Sequence, residues 1–374
     1  MGTGEAEGGR RSGKTTFELA SEAAHLALAD AGLQRDEIDA VFLEQPMSEH
    51  HHMPANVFLE YMDMRPQAAV AFAAGGATPH AMAIQAAGLI ASGVYETILI
   101  VDADGRATRF AGDKGMATSQ AADDMEEFET PYGASVPGRY ALIAQRHMHD
   151  YGTTEEQLAQ VAVVERKHAS LNPRAAYRDP LTVREVLESP MVAAPFHLLE
   201  CCMVSDWGTA FVMTSKRRAG RLNKPPVWIR GFGSAQQGYN LAPLQSFSSW
   251  PIQHSAKHAF RMAELTPEEV HVAELYDSFP ITVLIALEEL GFCEKGQGGA
   301  FVQGGAAELG GKIPVNTHGG QLSYACGHGQ YILEAARQLR GEAGQAQADG
   351  ARYGLSQGTA AICSSSYTII YEAD

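Results

Sequence analysis

Asn316-Thr317-His318-Gly319-Gly320-Gln321-Leu322-Ser323-Tyr324-Ala325-Cys326-Gly327-His328-Gly329 packs two histidines, a cysteine, a tyrosine and four glycines into fourteen residues. Imidazole exchanges protons near neutral pH, a thiolate is a nucleophile, and a phenol donates a hydrogen bond. Glycines at this density let backbone close on a ligand and set N–H groups at a helix start. The helical pattern 331–340 follows directly. A second glycine pair, Gly75-Gly76, precedes the helical pattern 81–91, and Tyr276-Asp277 follows a short apolar run. Tyrosine starts near pKa ~10, so Tyr276 serves as a base only where a cation or hydrogen-bond donor lowers it. Asp277 suits orienting a loop or capping the next helix better than chemistry. Cys326 reads as a small buried apolar residue, a displaced nucleophile or an acid/base group.

These residues need a scaffold, and 374 residues suffice for two core-bearing layers or domains. A net charge of −16 argues against binding a phosphate backbone. No apolar run is long enough to span a membrane, and no secretion signal opens the chain. Five cysteines, with Cys201 and Cys202 adjacent, fit reduced thiols in a cytoplasm. Consecutive histidines in Glu49-His50-His51-His52 cannot all face one ion, so no metal is expected. The acidic run 123–127 reads as a solvated loop face.

Gly8-Gly9-Arg10-Arg11-Ser12-Gly13-Lys14-Thr15 satisfies the phosphate-loop pattern, and a helix with Phe17, Leu19, Ala20, Ala23, Ala24 and Leu28 follows. The buried strand that such a loop needs is not legible in the glycine-rich, polar residues 1–7, which argues against nucleotide hydrolysis. The chain also repeats itself. Residues 27–43 line up with 259–275, each reading as amphipathic helix, acidic turn and strand. Gly208-Thr209-Ala210 and its β-prone run match Gly358-Thr359-Ala360, and the helix after Gly75-Gly76 matches that after Gly319-Gly320. The alternation predicts an α/β fold of two similar halves, 1–225 and 226–374, parted near Pro225-Pro226, with an insertion at about 107–195 in the first.

The glycine loop resembles the NxxGG-x3-GHP-x-G loop of the thiolase superfamily, most closely its lipid-transfer-protein (SCP2-thiolase-like) branch. The resemblance extends over Phe128-Glu129-Thr130-Pro131-Tyr132-Gly133, Met148-His149-Asp150-Tyr151-Gly152-Thr153-Thr154, Leu171-Asn172-Pro173, Leu199-Glu200-Cys201-Cys202-Met203-Val204-Ser205-Asp206 and Arg337-Gln338-Leu339-Arg340-Gly341. It implies the thiolase fold, two α-β-α-β-α halves in five layers. The first strand usual in the family is barely present before Gly8, which suggests that the natural chain starts earlier. Cys201-Cys202 lies in a segment that is structural in the family.

Thiolases use a nucleophilic cysteine, a histidine that activates it, a second acid/base cysteine and a second histidine in an oxyanion hole. By resemblance these positions hold Gly76, Tyr276 (in Tyr276-Asp277-Ser278-Phe279), no cysteine (in Gln357-Gly358-Thr359-Ala360-Ala361) and Cys326. The pattern is similar to the steroid side-chain aldolases of the branch, which cleave a β-hydroxyacyl-CoA by a retro-aldol step and place tyrosines in the histidine positions. Tyr276 fits; at the second position stands Cys326, with Tyr324 two residues before it and His328 two after. The resemblance implies Tyr276, Cys326, His318, His328 and Tyr324 as catalytic candidates, His318 favoured over His328 to polarise the thioester, and Gly75, Gly76, Gly319 and Gly320 as acyl-CoA and oxyanion loops. It further implies a homodimer, a zinc-ribbon/OB-fold (DUF35) partner, and no cofactor beyond the coenzyme A of the substrate. The alternatives are an acyltransferase with a relocated nucleophile and a non-catalytic subunit of a thiolase–DUF35 complex.

Overall fold

The computed structural model describes residues 2–110, 129, 131, 135–244 and 246–374. The acidic run 123–127 and most of the segment 128–133 lie outside the described residues. Along the chain come β1 (Gly2–Glu5), α1 (Thr16–Ala31), β2 (Ala40–Glu44), α2 (Pro54–Met62), β3 (Ala68–Phe72), α3 (Thr78–Ala91), β4 (Thr97–Asp104) and α4 (Arg106–Arg109). Next come α5 (Val136–Tyr151), α6 (Glu155–Leu171), α7 (Val183–Glu188) and the hairpin β5 (Met191–Ala193) and β6 (Phe196–His197). Then follow β7 (Trp207–Thr214), α8 (Lys216–Ala219), β8 (Val227–Gln236), α9 (Ile252–Ala263), β9 (Val272–Leu275) and α10 (Pro280–Glu289). The chain closes with α11 (Gly298–Gln303), α12 (Gly320–Ser323), α13 (Gln330–Arg340), β10 (Tyr353–Ala360) and β11 (Ser365–Ala373).

Two mixed sheets result, ordered β1-β7-β4-β2-β3 and β8-β11-β10-β9. Apolar side chains on both faces of each sheet demand helices on both sides. Phe17 and Leu19 of α1 and Phe58 of α2 cover one face of the first sheet. Met82, Ala83 and Ala86 of α3 join Ile332, Leu333 and Ala336 of α13 between the sheets. Ala256 and Ala259 of α9 and the apolar α10 cover the far face of the second. The five layers are those of the thiolase fold. No helix among the described residues is long and apolar enough to cross a membrane.

Residues 2–5 form a strand after all, antiparallel to β7. Its glycines hid it: α1 lies so close that a Cβ on Gly4 would sit 2.1 Å from the Ala23 carbonyl oxygen. The second half repeats the contact, since a Cβ on Gly233 of β8 would meet Ser255 O of α9 at 2.1 Å. The alignment of 27–43 with 259–275 matches the structure, each covering helix end, 3-10 turn and strand. The second repeat pair is displaced by one hairpin arm. By its place in the sheet the counterpart of β7 is β11, whereas 358–365 spans the end of β10 and the turn after it.

Asn316 ties β9 to the glycine loop. Its Oδ1 accepts from Leu275 N (2.7 Å), and its Nδ2 donates to Leu275 O (2.9 Å) and Glu165 Oε1 (2.8 Å). The residue holds φ +51°, a conformation asparagine tolerates better than most residues. Asn316→Ala strands a buried backbone N–H and C=O, and is expected to cost roughly 3 kcal/mol in urea unfolding, with an unchanged m-value.

Candidate active site

A one-turn 3-10 segment (Gly75–Ala77) delivers the chain into α3, and its middle residue has no room for a side chain. A Cβ on Gly76 would lie 2.4 Å from Tyr276 Cε2 and 2.8 Å from Thr359 O. Tyr276 is held over it by its N–H, which donates to Gln357 O at 3.0 Å where β9 and β10 run parallel. Burial, with the neighbouring thiol of Cys202, pushes its phenol pKa above the ordinary value and outweighs the hydrogen bond with Ser278 that acts the other way. At neutral pH Tyr276 carries its proton and acts as a donor, contrary to the condition a base requires.

Cys326 is 8% exposed, with its N–H on Ser205 Oγ (2.7 Å). The thiol of Cys202 donates to it, which lowers its pKa against the burial that opposes, and Arg106 adds positive charge. The same contact, together with burial, raises Cys202 well above the thiol range. So the Cys201-Cys202 segment, expected to be structural, brings its second thiol into the site. Cys201 stays apart, its pKa pushed by burial to about 12.

His328 stacks on Tyr276 with ring centroids 6.2 Å apart and meets Trp207 edge-on at 5.5 Å. Burial lowers its pKa although the charge of Asp102 opposes, leaving a neutral imidazole. Behind it Asp102 accepts from Trp207 Nε1 (2.8 Å), Gly329 N (2.7 Å) and His328 N (3.1 Å). Gly329 permits this, because a Cβ there would meet Thr209 Oγ1 at 2.1 Å. Glu44, Asp102 and His328 offer ligand atoms within 4.8 Å of one another, spacing that suits a cation. Asp102 spends its lone pairs on these protein donors, so the group fits hydrogen bonding better than metal coordination.

His318 and Tyr324 sit elsewhere. His318 Nδ1 lies 2.8 Å from Glu274 Oε2, its ring edge-on to Tyr331 at 5.5 Å, one aromatic ring removed from Tyr276. Burial moves Glu274 up to about 8 and His318 down, so the pair is uncharged at neutral pH. The Tyr324 hydroxyl donates to Glu5 of β1, which also binds Arg337 at 2.6 Å. Tyr324 therefore does not swing toward Tyr276; β1, illegible in the sequence, supplies the carboxylate that holds it away. Asp277 orients the loop, accepting from Tyr331 OH (2.5 Å) and Leu322 N (3.1 Å). Gly319 and Gly320 belong to this packing, both at positive φ; a Cβ on Gly320 would lie 2.2 Å from Asp277 Oδ2.

Sequence reasoning missed Cys202, Arg106, Glu44 and Asp102. The last two are acidic residues inside apolar strand patterns, Ala40–Glu44 and Thr97–Asp104, and that mismatch was the available signal. The phosphate-loop pattern does have a strand before it, but β1 is a sheet edge, and Lys14 Nζ is tied to Glu22 (2.6 Å) and Glu7 O (3.1 Å). A cavity of about 490 Å³ opens there, lined by Gly13, Lys14, Thr15 and His51 among others. None of the Tyr276, Cys326 and His328 group lines it.

Residues 233–373 match the family model described as thiolase C-terminal domain-like. Over 355 residues the chain is 36% identical to the steroid side-chain-cleaving aldolase of Thermomonospora curvata, covering 91% of this chain and 89% of that one. It is 32% identical over 366 residues to an acetyl-CoA acetyltransferase of Methanothermobacter thermautotrophicus, with 92% and 93% covered. The solved structure of an Ltp2-ChsH2(DUF35) aldolase aligns with TM-score 0.88 and 32% identity, over 100% of this chain and 97% of that one. The chain belongs to the thiolase superfamily, in the SCP2-thiolase-like branch that includes the steroid side-chain aldolases.

Proposed function

We propose that this protein is a carbon–carbon lyase that cleaves a β-hydroxyacyl-CoA by a retro-aldol step, with no acyl-enzyme. One observation carries the reading: the position that would hold the thiolase nucleophile is Gly76, and Tyr276 occupies the space a side chain would need. A retro-aldol step requires a base for the β-hydroxyl and a donor for the enolate that forms at the thioester. Neutral His328 supplies the lone pair. Tyr276 supplies the proton, which its raised pKa keeps in place until an enolate of comparable basicity appears. Gly75 and Gly76 shape the backbone beside the thioester, while Gly319, Gly320 and His318, paired with Glu274, hold the loop behind Tyr331. The name of the Thermomonospora relative favours a steroid side chain as the acyl group.

The same reading includes a DUF35 partner, as in the aldolase complex it resembles, and a homodimer. For the dimer, β3 pairs on one side only, with β2, and Val70 on it is 43% exposed. Unpaired cysteines suit the cytoplasm, and the coenzyme A of the substrate is the one cofactor expected.

A second reading, acyl transfer from Cys326, is favoured by the hydrogen bond that lowers this thiol. With a β-hydroxyacyl-CoA panel and the partner co-expressed, Tyr276→Phe is expected to lose about 10²-fold or more in kcat while Cys326→Ser keeps most activity. Loss confined to Cys326→Ser, with a requirement for free CoA, establishes acyl transfer instead. Gly76→Cys is expected to create no thiolase. The added Sγ has no place beside the Tyr276 ring, so the variant loses lyase activity and forms no acyl-enzyme detectable by intact mass.

A further inference from the structure

Glu44 ends β2 beside His328, and its hydrogen-bonding is unlike that of its neighbour. It is 5% exposed, and its Oε2 is buried with no donor facing it. Asp102 beside it collects Trp207 Nε1, Gly329 N, His328 N and Thr209 Oγ1. A buried carboxylate oxygen without a donor, set against a second carboxylate, costs several kcal/mol. Two carboxyls this close share one proton, and the donor inventory assigns it. Asp102 has four donors and keeps the charge; Glu44 has only the Thr78 hydroxyl nearby, which donates to Gly75 O (2.7 Å), and carries the proton. Burial and the charge of Asp102 raise Glu44 in the same sense, while burial acting upward on Asp102 is outweighed by the Glu44 hydrogen bond and His328.

Glu44 Oε1, the other oxygen, stands 3.8 Å from His328 Nδ1. Of the two ring nitrogens of His328, Nδ1 is the one enclosed without a partner. We propose that Glu44 is a positioning residue: it donates its proton to Asp102 and turns Oε1 to His328 Nδ1–H, fixing the tautomer whose Nε2 lone pair serves as base. The inference rests on the retro-aldol reading for what that base does. Nε2 takes the β-hydroxyl proton, the oxygen electrons form the ketone C=O, and the Cα–Cβ pair moves into the thioester enolate. Tyr276 then gives its proton to Cα and recovers one from the His328 imidazolium, so the net transfer is from hydroxyl to Cα. The single negative charge of the Glu44–Asp102 pair compensates the imidazolium in between. Asp104 of β4, Thr78 and His80 of α3, Arg106 of α4 and Trp207 of β7 also face this group. Burial lowers His80 to about 3, so it adds no charge.

The test combines two variants with a substrate-free measurement. Glu44→Ala is expected to lower kcat about 10²-fold with KM within threefold, and to displace the acidic limb of the kcat–pH profile that reports His328. Glu44→Gln, which offers an N–H to Asp102 and a carbonyl to Nδ1–H, is expected to rescue kcat to within tenfold of wild type. Equal loss in both variants overturns the protonated assignment, and an unchanged kcat in Glu44→Ala overturns the positioning role. Nitrogen-15 NMR of the histidine-labelled full chain, wild type and Glu44→Gln, reads the tautomer directly. Nδ1–H supports the inference and Nε2–H overturns it. That measurement uses no substrate, so it stands or falls apart from the retro-aldol reading, which fails on the absence of β-hydroxyacyl-CoA cleavage. It also decides the matter where Glu44→Ala does not fold.

Discussion

The ring of Tyr276 lies where any side chain at position 76 would have to go, and much of the site follows from that exclusion. A glycine is obligatory beneath the ring, so the turn into α3 presents backbone and no nucleophile. The tyrosine in turn is fixed by its backbone bond to β10, by His328 along one face and by Tyr331 beyond. Packing of this density leaves little room for rearrangement, so no nucleophile can be placed at position 76 without displacing the tyrosine.

Around that contact the protein buries far more acid than base. Glu44 lies against Asp102, and Glu165 against Asp277, whose two oxygens receive Tyr331 OH and Leu322 N. In each pair one member has the donors and the other has a buried oxygen without one. Sharing a proton removes one charge from each pair and makes the burial tolerable. Neutral His328, neutral Tyr276 and these half-protonated pairs give a centre able to move protons without a net change of charge.

The residues of the glycine loop were legible as chemistry because histidine, cysteine and tyrosine among glycines are unusual company. Their division of labour was not. Tyr324 and His328 are four residues apart, yet the first is bound to Glu5 and the second lies against Tyr276, since the chain bends between them at Cys326. His318 looked better placed than His328 from the Asn316 motif, but its ring is shielded from Tyr276 by Tyr331. β1 escaped detection because its glycines serve a helix that presses on it, a contact no local pattern records.

By itself the sequence determined the layers, their repetition and the loss of the thiolase side chains, because periodicity and motif are properties of neighbours in the chain. Only the tertiary structure decided which replacement groups meet. Glu44, Asp102, Cys202 and Cys326 come from strands and loops up to 282 residues apart (326 minus 44). Their protonation is set by burial and by one another, so it exists only once the sheets have closed over the middle helices.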